Sequence, residues 1–94
     1  MKLEISDKET RRLANGVRSR KLPPDIQDKA MRLLRGMADC GDWNDLRQPP
    51  GNRLHALHGD REGQYAVRIN RQWRIAFRPV EGGLADVEVT DYHE

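Results

Sequence analysis

The apolar positions of this chain change their period from one stretch to the next, and the changes mark the elements. Over 64–78 the period is two. Tyr65, Val67 and Ile69 point one way, and Gln64, Ala66 and Arg68 the other. Trp73, Ile75 and Phe77 then oppose Arg74, Ala76 and Arg78. Strict alternation is the mark of a half-buried strand. Asn70-Arg71 falls where a hairpin turn is needed, and Asn tolerates positive φ there. Pairing the strands collects six large apolar side chains on one face. Arg68, Arg74 and Arg78 fall on the other, interleaved with two alanines. Pro79 ends the second strand and Glu81-Gly82-Gly83 makes another turn. Residues 84–90 alternate again, with Ala85, Val87 and Val89 on the core side.

Upstream the period becomes helical. Residues 2–5 alternate as a short edge strand. Ser6 or Asp7 then caps a thin first helix over about 7–15, which Gly16 ends. Residues 17–22 make a basic connection. Pro23-Pro24-Asp25 opens a stronger helix, since proline suits a first turn and Asp25 suits the positive end of the dipole. Ile26, Ala30, Leu33, Leu34 and Met37 form its apolar stripe, opposite Asp28, Lys29, Arg32 and Arg35. Gly41 ends it. Residues 42–47 make one further helical turn, whose Trp43 and Leu46 cover an edge of the core. Residues 48–52 are a loop and 53–58 an extended segment.

This order predicts an α+β fold in a single domain spanning 1–94. Two N-terminal helices pack on one face of a small twisted antiparallel sheet of three or four strands. The other face is left open and carries the arginines. Only 36% of residues are hydrophobic and 34% charged, so the core is modest and no large enclosed site is expected. No apolar run has the length of a membrane span and no signal-peptide core is visible. A cytoplasmic location without a membrane partner is therefore expected. The lone Cys40 cannot form an internal disulfide and reads as a small residue near a helix end.

Charge changes this picture through its distribution, since the net value is only +2. Residues 47–78 hold seven arginines against Asp60 and Glu62. Residues 79–94 hold five carboxylates and no Lys or Arg. Of the 17 basic residues 13 are Arg, which grips phosphate bidentately and stacks on bases as Lys cannot. A strip of arginines points to nucleic acid more than to a membrane surface, although arginine-rich surfaces also follow from genomic base composition.

Three constellations could carry chemistry. Arg68, Arg74 and Arg78 could bind phosphate and stabilise charge building on phosphorus. They could equally be a solvated strand face paired with Asp86 and Glu88. Asp91, Tyr92 and His93 offer acid, base and stacking groups, or simply a polar terminus. Alternation sends Asp91 and His93 to the core side, so a bulge or chain exit is needed if all three serve one site. His55 and His58 lie three apart, so on a strand at most one faces the arginines. Three histidines with no cysteine cluster make a poor metal site. A metal-free, cofactor-free chemistry is expected. The phosphate-binding P-loop, the dinucleotide glycine fingerprint and the Gly-x-Ser-x-Gly elbow are absent.

Three runs in the chain resemble the HigB toxins of the RelE/ParE superfamily of type II toxin–antitoxin systems. They are Pro49-Pro50-Gly51-Asn52-Arg53-Leu54, then Leu57-x-Gly59-Asp60-Arg61-x-Gly63-Gln64-Tyr65, then Arg68-Ile69-Asn70-x-Gln72-Trp73-Arg74-Ile75. The terminal Asp91-Tyr92-His93 adds to the resemblance. It covers essentially the whole chain and implies a ribosome-dependent mRNA endonuclease, toxic through inhibited translation. The cut would fall in the 30S A site by metal-free attack of a ribose 2′-OH. It also implies a HigA-like helix-turn-helix antitoxin, through which alone operator DNA would be met. On the matching positions Arg74 would stabilise the transition state. Asp91 and His93 would share proton transfer, and Tyr92 would position or stack on a base. His55 matches a position that is an active-site His in some members. Arg61, Arg68, Arg78 and His58 are the expected RNA phosphate contacts. His58 stands where relatives often carry Lys, a departure that weakens its expected contact because histidine is mostly neutral near neutrality. The competing reading is a ParE-like protein acting on DNA gyrase, or an inactive relative that only binds its antitoxin.

Overall fold

The computed structural model describes residues 1–91. Strand β1 spans Lys2–Ile5, helix α1 Lys8–Ala14, helix α2 Pro24–Asp39, β2 His55–Ala56, β3 Tyr65–Arg68, β4 Trp73–Val80 and β5 Gly83–Asp91. Single 3-10 turns at Trp43–Arg47, Pro50–Asn52 and Gly59–Arg61 fill the connections.

Each helix starts where its capping chemistry requires. The Asp7 carboxylate accepts from the Thr10 N–H at 3.0 Å, which satisfies one of the orphan donors of α1. Pro24 opens α2 at a position whose N–H needs no partner. The stripe Ile26, Ala30, Leu34 and Met37 is buried, with Leu33 half-buried at its margin. With Leu13 of α1 it packs on Val67, Ile69, Ile75, Phe77, Leu84, Val87 and Val89 to form the main core. Trp43 and Leu46 close one edge of that core, and the Trp43 ring lies 4.5 Å from Tyr65.

The sheet runs in the order β1-β5-β4-β3-β2. It is mixed, which corrects the wholly antiparallel expectation. Hairpin connections do force β2 to β5 antiparallel, but β1 has no hairpin neighbour and lies parallel to β5. Where β1 stops, α1 takes over the exposed edge of β5: the Thr10 hydroxyl accepts the Val89 N–H at 2.9 Å.

Three further expectations change in detail. Asn70 makes the hairpin turn without positive φ. Its side-chain oxygen accepts from Gln72 N at 2.8 Å and Trp73 N at 2.7 Å, so the side chain replaces a backbone acceptor. Ala85 is not on the core side. Arg78 pairs with Ala85 while Ala76 pairs with Glu88, so a β-bulge leaves Asp86 and Val87 together opposite Phe77. Asp86 takes φ 52° there, and the extra residue gives the core Leu84 in place of Ala85. Finally, the outer face is not wholly open. Leu57, 2% exposed, lies with the fully buried Ala66 and Ala76 in a second small apolar cluster.

Candidate active site

Strand register turns the outer face into a grid. One row runs His55, Ala66, Ala76, Glu88, and the next runs Arg68, Arg74, Thr90. The first row is low and apolar at its centre, and the second stands up as a cationic ridge. Arg68 and Arg74 are directly opposite each other across β3 and β4. Like charges in that relation repel unless each guanidinium is otherwise engaged. Arg74 is engaged: it bends back over the hairpin turn, where Nη1 donates to the Asn70 carbonyl and, at 3.2 Å, to the Trp73 carbonyl. Arg68 is half-buried and makes no side-chain ion pair among the described residues.

Arg61 reaches the same face from the 3-10 turn after β2. Its Nη2 lies 3.0 Å from Glu88 Oε1 and 3.5 Å from Thr90 Oγ1, and its Nη1 donates to Gln64 Oε1 at 3.0 Å. Gln64 precedes β3 and Glu88 belongs to β5, so the Arg61 side chain crosses the width of the face above the alanines. The two small residues make room for it. Arg78 is paired with Asp86 at 3.2 Å on the exposed margin. Gly63 is left-handed at φ 88°, and a Cβ there would lie 2.8 Å from Arg78 Nη1. Glycine thus serves both the turn and the close approach of the guanidinium.

The other sequence-derived residues divide. His55 pairs with Ala66 and so shares the arginine face, with Nδ1 2.8 Å from the Arg53 carbonyl. His58 lies outside, 77% exposed, and 3.8 Å from Glu62. Asp91 pairs with Trp73 and takes the core-side parity, and its Oδ2 accepts from Gln72 Nε2 at 2.8 Å. The bulge lies upstream of it and does not turn it toward Arg74. Tyr92 and His93 lie outside the described residues. Two elements of the site escaped the sequence reading, the central position of Arg61 and the apolar floor under it. The floor had a readable signal, since Ala66 and Ala76 alternate with the core residues at the same depth.

Among the described residues no group of His, Cys, Asp and Glu is placed to hold a metal ion, and no helix is long and apolar enough to cross a membrane. The arrangement can bind anions on a ridge and position a substrate against fixed guanidinium groups. The model of one sequence family, the RelE-like toxin of type II toxin-antitoxin system HigB, matches residues 4–93, which take in both helices and the sheet. The chain belongs to the HigB-like toxin family. Toxin HigB-1 of Vibrio cholerae is 35% identical over 83 residues, 87% of each chain. Endoribonuclease HigB of Proteus vulgaris is 39% identical over 41 residues, 44% of this chain and 45% of that protein. Among solved structures, a YoeB/ParE toxin from Agrobacterium tumefaciens superposes with a TM-score of 0.59 at 17% identity, covering 99% of this chain and 100% of that one. The toxin fold in the Escherichia coli DinJ–YafQ toxin–antitoxin complex gives 0.54 at 18% identity, covering 96% and 90%. At such identities the structural likeness concerns the fold, an α+β arrangement that this HigB-like toxin shares with them.

Proposed function

We propose that this HigB-like toxin is an endoribonuclease that cuts mRNA on the ribosome and is held inactive by a helix-turn-helix antitoxin of the HigA kind. The observation that carries the reading is the Arg68–Arg74 opposition on the outer face. Two guanidinium groups set directly across from each other can grip one anion from both sides. RNA supplies such an anion at every nucleotide. The name of the Proteus vulgaris relative supports the same chemistry, and the DinJ–YafQ complex supports an antitoxin partner.

In the proposed reaction a ribose 2′-OH attacks the adjacent phosphorus, the 5′ oxygen leaves, and a 2′,3′-cyclic phosphate forms. Arg74 stabilises the extra negative charge on the phosphorane, and its tether to the turn carbonyls holds it in place before substrate arrives. Arg68 and Arg61 hold the flanking phosphates. His93 takes the proton that leaves the 2′-OH or returns one to the 5′ oxygen, and Tyr92 stacks on a base. Asp91, on the opposite parity and held by Gln72, shares that proton transfer only once the chain end turns it toward Arg74. His55 orients the ribose from the neighbouring row. No step in this scheme requires a metal ion. The ribosome holds the mRNA in line for attack, which a shallow face cannot do alone.

Induced cells analysed by primer extension test this. Cuts inside translated frames, lost with Arg74→Ala, are expected. DNA damage without such cuts would instead assign the toxin to DNA gyrase.

A further inference from the structure

The connection between α1 and α2, residues 17–22, is a basic stretch that the arginine face does not use. Its backbone is fixed from beneath by Gln27, which is 1% exposed. Gln27 Oε1 accepts from Ser19 N at 2.9 Å, and Nε2 donates to the Ser19 and Leu22 carbonyls at 2.8 and 2.9 Å. Ser19 Oγ lies 2.6 Å from Glu9 Oε1 and accepts from Lys21 N at 3.1 Å. A buried amide satisfied in this way is a rigid clamp. The Cα positions from which Arg20 and Lys21 project are therefore fixed.

Against α1 the connection forms a cleft of about 400 Å³ lined by Lys8, Glu9, Arg12, Arg18, Arg20 and Lys21. Five cations surround one carboxylate, and that carboxylate is engaged by Ser19 and Arg12. Arg18 is tied to Asp28 at 2.9 Å. Lys8, Arg20 and Lys21 are exposed and make no ion pair among the described residues. The lining contains no apolar side chain, so a protein helix would bury little there. A phosphate backbone would gain by releasing its counterions to fixed cations. The position also fits. The Thr10–Val89 hydrogen bond fastens α1 to the edge of β5 beside Thr90, the partner of Arg74, so a strand of RNA on the arginine face would reach the cleft by passing round this edge.

We infer that this cleft is a second phosphate-backbone site for RNA, extending the footprint of the proposed nuclease beyond the residues that cut. The inference rests on the RNA-cleaving reading and deepens it. The cleft holds backbone phosphates without regard to sequence, and so acts on affinity and not on the chemical step.

The test uses the full chain and a 2′-O-methylated RNA oligonucleotide, which can bind but cannot be cut by 2′-OH attack. Fluorescence anisotropy across a potassium chloride series gives the slope of log affinity against log salt. Lys8→Ala, Arg20→Ala and Lys21→Ala combined should reduce that slope by about 2, at roughly 0.7 for each single-strand phosphate that is no longer neutralised. Melting should not change, because all three side chains are exposed. The charge-keeping set Lys8→Arg, Arg20→Lys and Lys21→Arg should restore the slope. An unchanged slope in the alanine variant overturns the inference. So does failure to co-purify with the antitoxin at an intact RNA slope, which would give the cleft to an acidic protein segment. No bond is cut in this assay, so the slope reads the cleft alone, while cleavage of ribosome-bound mRNA, measured separately, reads the nuclease on which the inference rests.

Discussion

Arg61 gathers several weak signals into one residue. Its guanidinium is received by Gln64 on one side and Glu88 on the other. Its side chain is 25% exposed, so solvent screens the Glu88 pair only in part. Glu88→Gln should release Arg61 toward RNA and strengthen RNA binding, read as a steeper salt dependence. Weaker binding would show that the pair is needed to position Arg61. Gly63→Ala combines left-handed strain with a collision at Arg78, and should cost about 1–2 kcal/mol in a thermal melt. An unchanged melt would mean that the turn relaxes out of the left-handed region and that Arg78 moves aside. Cys40 belongs to the opposite case, a residue kept quiet. Burial first, and the Asp45 carboxylate second, push its thiol pKa up. The thiol is thus protonated across neutral pH, and alkylation should be slower than for a free cysteine peptide and should rise only in alkaline buffer. At this scale the sequence was legible where side chains alternate without a bulge, as over 65–77. At Asn70 the turn was legible but its means was not: the side-chain oxygen, not a positive φ, makes it.

Among the elements, β4 is the one that alternation described best, and β5 the one it described least well. Reading β5 as a regular strand puts Ala85 in the core. One inserted residue at Asp86 reverses the parity before it and leaves Val87 and Val89 where alternation placed them. Bulges of this kind have no fixed sequence mark, although an Asp able to adopt positive φ opposite an Arg is a hint. Asp86→Val should therefore destabilise more than Asp86→Gly, since a β-branched residue is strained at φ 52°. Equal melts would show that the bulge relaxes. The parallel placement of β1 was equally hidden, because it depends on where the chain returns after two helices and not on any local pattern. Burial also redistributes weight within β4. Trp73 is only half-buried, whereas Phe77 is fully enclosed under Trp43 and Tyr65. Phe77→Ala should cost about 3–5 kcal/mol and abolish activity through lost folding. It is the structural control for any loss of function on the outer face.

The whole molecule divides its work between two faces. The helices and one side of the sheet form the core, and the other side carries guanidinium groups on a shallow apolar floor. Such a face offers charge but little enclosure, so the purified toxin should cut free RNA weakly and ribosome-bound mRNA well. Efficient cutting of free RNA would contradict the reliance on ribosomal positioning. Truncation after Asp91 should likewise abolish cleavage while leaving the described domain folded. The most direct measurement pairs mRNA cleavage on the ribosome with a thermal melt for Arg74→Ala. Arg74 lies on the face away from the core, and its loss removes two hydrogen bonds to turn carbonyls at about 1 kcal/mol. The proposed role requires a fall in cleavage rate of roughly 100-fold or more with the fold intact. Cleavage within a few-fold of the unsubstituted chain, at equal expression and with the chain still folded at the assay temperature, would show that the outer face is not where the chemistry occurs.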